Sequence, residues 1–182
     1  MLSKIKQDAN SVPKTFWYNA TRGLLTLADE EEICKYPKWA YMFARDVSGA
    51  NIEKCQDVAC QDSYWAYEFA LSIPGANIEK CQEAACKDPY YAYKFARFIS
   101  GADIEKCQEA ALQNAKYAFY FAKDIPGADI EKCQGVACTF FYYAYNFALH
   151  IKHANKETCY KAVANDTQYK YMFERFIFKI IK

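Results

Sequence analysis

Apolar and polar positions along the chain follow two alternating patterns, and each predicts a helix. In the stretch Gly75 to Ser100, GANIEKCQEAACKDPYYAYKFARFIS, residues Ala92, Phe95, Ala96 and Ile99 fall at i, i+3, i+4 and i+7. That is one stripe of a helix. Asp88 followed by Pro89 marks its start, because a carboxylate can accept from the unpaired first-turn amides and a first-position Pro gives up no bond. Asp62-Ser63 and Asn114-Ala115 repeat the signal. Pro74-Gly75 and Ser100-Gly101 mark helix ends, with Gly supplying a left-handed cap. A shorter helix of two to three turns follows each cap. It starts at Asn51, Asn77, Asp103, Asp129 and Asn155 and reaches about Cys60 and its equivalents. Glu53, Glu79, Glu105 and Glu131 occupy its first turn, where the helix dipole favours negative charge.

The pair of helices returns every 26 residues. Cys55, Cys81, Cys107, Cys133 and Cys159 keep that spacing, as do Gly23, Gly49, Gly75, Gly101 and Gly127; His153 takes the next glycine place and is expected to be strained there. The fold this predicts is all-α, a right-handed solenoid of about six 26-residue helical hairpins with modified terminal caps. Its divisions are an N-terminal cap over 1–22, tandem repeats over 23–164 and a C-terminal capping helix over 165–182. The Ala144/Ala148 pair becomes Lys170 and Glu174 in the last unit, as suits a repeat with no neighbour beyond it. Phe173, Ile177, Ile180 and Ile181 then continue an apolar stripe, which either folds back or serves a homodimer through the C-terminal helix.

Three aromatic columns run through the longer helices. They begin at Trp39, Tyr41 and Phe43 and recur with the repeat to Tyr169, Tyr171 and Phe173. The Phe column reads as core, and the Tyr41 column, on the flank of the stripe, as balanced between burial and partial exposure. In the short helix, Gln56, Gln82, Gln108 and Gln134 fall inside the apolar arc. Buried amides need partners, which predicts a ladder to loop backbone or to adjacent Gln side chains.

Composition changes the picture only at a few points. The chain has 182 residues, 23 basic against 22 acidic, with 16 Tyr, 13 Phe and 9 Cys. A net charge of +1 excludes a uniformly basic polymer binder but not a local basic stripe. The first residues lack an apolar run of signal-peptide length, and no run spans a bilayer, so a cytoplasmic location with reduced thiols and no membrane contact is expected. Cys55 and Cys60, at i and i+5, sit about 140° apart around a helix. Cysteines of one column in adjacent repeats are expected about 8–10 Å apart, beyond the roughly 7 Å a disulfide tolerates. They read as small buried core residues, with no metal site and no cofactor.

No phosphate-cradling loop, HExxH or nucleophile elbow is present, and the chain reads as a non-enzyme. The positions that vary between repeats lie on one face of the longer helix, opposite the Ala/Phe stripe. The candidate partner-binding residues on it are Lys38, Met42, Arg45, Tyr64, Glu68, Tyr90, Lys94, Arg97, Lys116, Tyr120, Lys123 and Arg175. Tyr, Met and Arg are favoured at protein interfaces. Cations threaded with aromatics also suit nucleic acid. A solvated outer face that drifts freely is the third reading. The acidic run Asp29 to Glu32 reads as a solvated first turn.

The segments GADIEKCQEAA and YAYKFAR resemble the short alanine- and aromatic-rich repeats of many phage and bacterial proteins. Their layout is similar to the leucine-rich repeat variant, a solenoid pairing a short helix with a longer one, over about residues 23–177. That resemblance implies architecture rather than activity. The size, cytosolic character and lack of catalytic motifs further resemble phage anti-CRISPR inhibitors of type II RNA-guided nucleases. This implies stoichiometric binding to a host CRISPR nuclease in the bacterial cytoplasm. A nucleic-acid-binding repeat module and a protein scaffold are the alternatives.

Overall fold

A computed structural model of the chain describes residues 26–27 and 30–179. The expected N-terminal cap over 1–22, Gly23, Asp29, Ile180 and Ile181 lie outside the described residues. Those described are all-α, without a strand, and divide into two units, residues 1–85 and 86–182.

The first unit contains α1 (Glu30–Ile33), α2 (Pro37–Asp46), α3 (Ile52–Ala59), α4 (Ser63–Ser72) and α5 (Ile78–Ala85). Here α2 pairs with α3 and α4 with α5, and the longer helices α2 and α4 lie against each other. The second unit contains α6 (Pro89–Phe98), α7 (Ile104–Ala111), α8 (Ala115–Asp124), α9 (Ile130–Ala137), α10 (Phe141–His150), α11 (Lys156–Val163) and α12 (Thr167–Phe176). Its hairpins are α6–α7, α8–α9 and α10–α11, with α8 also against α6 and α10. Among the described residues, no helix is long and apolar enough to cross a membrane.

Polar caps set the helix starts. Asn51, Asp103, Asp129 and Asn155 each accept the amide three residues on, while Asp62 and Asp88 each accept two first-turn amides. The Phe column is the core: Phe43, Phe69, Phe95, Phe121, Phe147 and Phe173 are all fully buried. Ala40 and Ala66, and in the second unit Ala92, Ala118 and Ala144, are fully buried beside it. The Tyr41 column is not balanced between burial and exposure. Tyr41, Tyr67, Tyr93, Phe119 and Tyr145 are buried, and in this column only Tyr171 is exposed. The flank of one helix is covered by the next, as in the 5.4 Å approach of Tyr41 to Trp65.

His153 is not strained. Gly49, Gly75, Gly101 and Gly127 take φ of +81 to +83°, but His153 does not enter that region. The turn bond survives regardless, from Ala154 N–H to the Ile151 carbonyl, as from Ala128 to Ile125. A turn whose third residue has negative φ closes the same bond, so no glycine is needed.

The Gln ladder exists and runs to loop backbone. Gln56 Nε2 donates to the Asn77 carbonyl at 2.7 Å, and Asn77 N–H donates back to Gln56 Oε1 at 3.0 Å. In the second unit Gln108 clasps Asp129 and Gln134 clasps Asn155 in the same way. Each amide thus joins a short helix to the first residue of the next one. Glu30 stands in the equivalent place and accepts from Asn51 N–H at 2.8 Å, so it is a structural acceptor rather than part of a solvated first turn. At the other end, helix α12 runs from Thr167 to Phe176. Phe178 folds back, with ring centroids 5.0 Å from Phe173 and 5.2 Å from Tyr160. Glu174 is not simply outward-facing either, since it accepts from the Tyr160 hydroxyl at 2.5 Å.

Candidate protein-binding face

The ten-residue helices turn the Phe and Ala stripe inward, which leaves the varying positions outside. In the first unit Lys38, Arg45 and Tyr64 are exposed, and Met42 and Glu68 half-buried. In the second, Tyr90, Arg97, Lys116, Lys123 and Arg175 are exposed, with Lys94 and Tyr120 half-buried.

Their cations do not stand alone in water. Arg45, Lys94, Arg97, Lys123 and Arg175 lie over Tyr41, Tyr90, Tyr93, Phe119 and Tyr171, each ring four residues earlier in the same helix, at 5.3 to 5.9 Å. One helical turn separates such residues, so the cation roofs the ring beneath it. Lys38 and Lys116 lie over the adjacent Trp39 and Tyr117. The i, i+4 spacing behind this is visible in the sequence.

Two of the arginines are also committed to carboxylates. Arg45 makes a forked bond to Asp46 at 2.7 and 2.8 Å, and this partner raises its already high pKa further. Arg97 donates to the Tyr93 hydroxyl and, at 2.8 Å, to Asp124 on α8. Tyr93 itself donates to Asp124 at 2.5 Å. Burial first, then that carboxylate, pushes the Tyr93 phenol up to about 12. The basic column is therefore charge-compensated at Arg45 and Arg97, which weakens it as a phosphate track.

An exposed aromatic cluster on this side joins Phe140 and Phe141 to Tyr142, which stands in one of the varying columns. Phe140, Phe141 and Tyr142 open α10, and all three are exposed, by 59%, 44% and 49%. Phe140 holds the N-cap place that Asp62, Asp88, Asn114 and Asp166 fill elsewhere; like Tyr36 before α2 it makes no cap bond, but Tyr36 is half-buried and Phe140 exposed. Phe141 and Tyr142 lie 5.2 and 6.3 Å from the Tyr169 ring, and Leu149 is exposed further along the same helix. The available signal was the break in the polar cap column at 140.

The cysteines approach more closely than the roughly 8–10 Å expected along one column. Cys34 lies 3.5 Å from Cys55 and Cys60 lies 3.8 Å from Cys81, Sγ to Sγ, in the first unit. In the second, Cys86 faces Cys107 at 3.8 Å and Cys138 faces Cys159 at 3.5 Å. The contacts run diagonally, between columns rather than along one. A cysteine just past the end of one short helix meets the central cysteine of the next, 21 residues on. All nine are free thiols. Among the described residues, no group of three or more His, Cys, Asp or Glu side chains is placed to hold a metal ion. No protein-family model, curated protein or solved structure matches this chain.

Proposed function

We propose that this chain is a non-enzymatic binding module that grips a protein partner with the outward faces of its ten-residue helices, anchored by the aromatic cluster at the start of α10. Phe140 carries the reading. An apolar N-cap costs about 1 kcal/mol relative to Asp or Asn, and Phe140 recovers little of it by burial, being 59% exposed. A large ring kept in water at the expense of local stability, beside Phe141 and Tyr142, is the composition of an interface hot spot. The compensated charges of Arg45 and Arg97 favour a protein over nucleic acid.

The partner class follows from the resemblance alone, namely the chain's size, its cytosolic character and its lack of catalytic motifs. It is a type II RNA-guided nuclease, inhibited stoichiometrically by a phage-encoded protein in the cytoplasm of the bacterial host. The same reading gives the hairpins within each unit a right-handed coil with a 26-residue step. Co-precipitation with the nuclease–guide complex and a DNA-cleavage assay test the partner; absence of both binding and inhibition removes it. A gel shift at two salt concentrations is expected to show no complex with bare DNA. A salt-sensitive shift abolished by charge reversal at Arg45, Arg97 and Lys123 would restore the nucleic-acid reading.

The face itself is tested by Phe140→Asp. Restoring the cap should raise the unfolding free energy by about 0.5–2 kcal/mol while weakening partner binding by roughly tenfold or more. Chemical denaturation and a binding titration on one preparation read both. A stabilised variant that binds unchanged would show that Phe140 is not part of the interface.

A further inference from the structure

The four sulfur pairs form a repeated site that the binding face does not use. Within each pair the Sγ atoms are 3.5 to 3.8 Å apart, which is van der Waals contact. Closing to a disulfide needs about 1.5–1.8 Å of further approach, given an S–S bond of about 2.05 Å. Zinc would need about four converging ligands, whereas two thiols in contact are the reactants of a disulfide. The pairing is also asymmetric. Cys60, Cys86 and Cys138 are half-buried, while Cys55, Cys81, Cys107 and Cys159 are fully buried. Cys133 has no such neighbour because Leu112 occupies the place its partner would take.

We propose that these pairs are modification sites for small-molecule disulfides, each closing to a disulfide between successive repeats and leaving Cys133 the one remaining thiol. The half-buried cysteine is the entry point. The hydrogen bond shared with the buried partner holds the Cys60, Cys86 and Cys138 thiols below their usual range. The same bond, then burial, raises Cys81, Cys107 and Cys159. The Cys60 thiolate attacks one sulfur of the small disulfide R–S–S–R, forming a mixed disulfide and expelling one thiolate, RS⁻. The Cys81 thiol gives its proton to that RS⁻, which leaves as RSH, and Cys81 sulfur attacks Cys60 Sγ. The second RS⁻ departs and takes up the proton released when Cys60 first ionised. Two protein thiols are oxidised and one R–S–S–R is reduced to two RSH. The Cys34–Cys55 pair follows the same course more slowly, because Cys34 is itself buried.

The test incubates the full-length, folded chain with glutathione disulfide, quenches in acid, alkylates under denaturing conditions and maps the peptides by mass spectrometry. The alkylatable thiols should fall from nine to one, at Cys133, with the mass lower by about 8 Da, two hydrogens per pair. The links should read Cys34–Cys55, Cys60–Cys81, Cys86–Cys107 and Cys138–Cys159. In a second variant, Leu112→Cys places a thiol where the other repeats carry one. It should add a fifth link, from position 112 to Cys133, and leave no free thiol. Nine persisting thiols, glutathione adducts that never close, links in another register, or a Cys133 still alkylatable in the Leu112→Cys chain would each overturn the assignment.

Discussion

Replacing Phe121 by Ala is expected to lower the unfolding free energy by about 3–5 kcal/mol. Phe121 is fully buried on α8, which packs against both α6 and α10. Its removal takes away the transfer free energy of a phenyl ring and leaves a cavity as well. Collapse into that cavity is limited, because Ala118 beside it is already fully buried and has no side chain to swing inward. Against a total of about 5–15 kcal/mol for a typical domain, one such change removes a large share. Urea denaturation gives the loss, and amide exchange along α8 shows where it falls. Phe121→Leu keeps most of the volume and should cost less than half as much. A loss under about 1 kcal/mol for Phe121→Ala would mean that the Phe column does not form the core.

The second large effect is expected at Gln134. Its amide donates to the Asn155 carbonyl at 2.7 Å and accepts from Asn155 N–H at 2.9 Å, while also reaching Cys159 Sγ at 3.3 Å. Gln134→Leu fills the same space but strips both backbone groups of their partner. A buried polar group left unpaired costs about 1–3 kcal/mol, so a loss of roughly 2–4 kcal/mol is expected for the two partly buried groups together. Gln134→Glu keeps the acceptor for the Asn155 amide and loses only the donor, as Glu30 does naturally toward Asn51. It should fall between wild type and Leu. Hydrogen exchange at the Asn155 amide separates the two variants, fast in Leu and slower in Glu. Equal exchange in both would mean that the amide does not depend on the side chain.

Much of the fold was legible because each repeat states the same helix signals again. The caps at Asp62 and Asp88, the Phe column and the buried glutamines all follow from local periodicity, and one copy corroborates the next. What escaped depended on relations between different columns. The Cys60–Cys81 contact joins a helix end to the middle of a later helix, and comparing like positions cannot reveal such a diagonal. The saddling of Arg97 on Tyr93 likewise links two columns that had been given separate roles. Burial of Tyr67 and Tyr93 depends on coverage by packed neighbours, which an isolated helical wheel does not contain. The candidate face was legible as a varying surface, but its sharpest residue was a broken rule. Phe140 stands out only once the polar caps at the equivalent places are known to bond and it is seen not to. His153 is the opposite case, a broken rule with no consequence, because a second turn geometry was available.

The glutamine clasp bears on how such a chain can lengthen. Each clasp reaches forward 21 residues, from Gln56 to Asn77 or Gln134 to Asn155, so half of every joint belongs to one sequence word and half to the next. A word therefore leaves with one open hand and enters with one to be taken. Duplicating or deleting a whole word by recombination restores every joint without inventing a residue. A change of any other length strands an amide on one side and a bare backbone on the other. Selection against that loss keeps the spacing uniform while the outward residues of each copy are free to diverge.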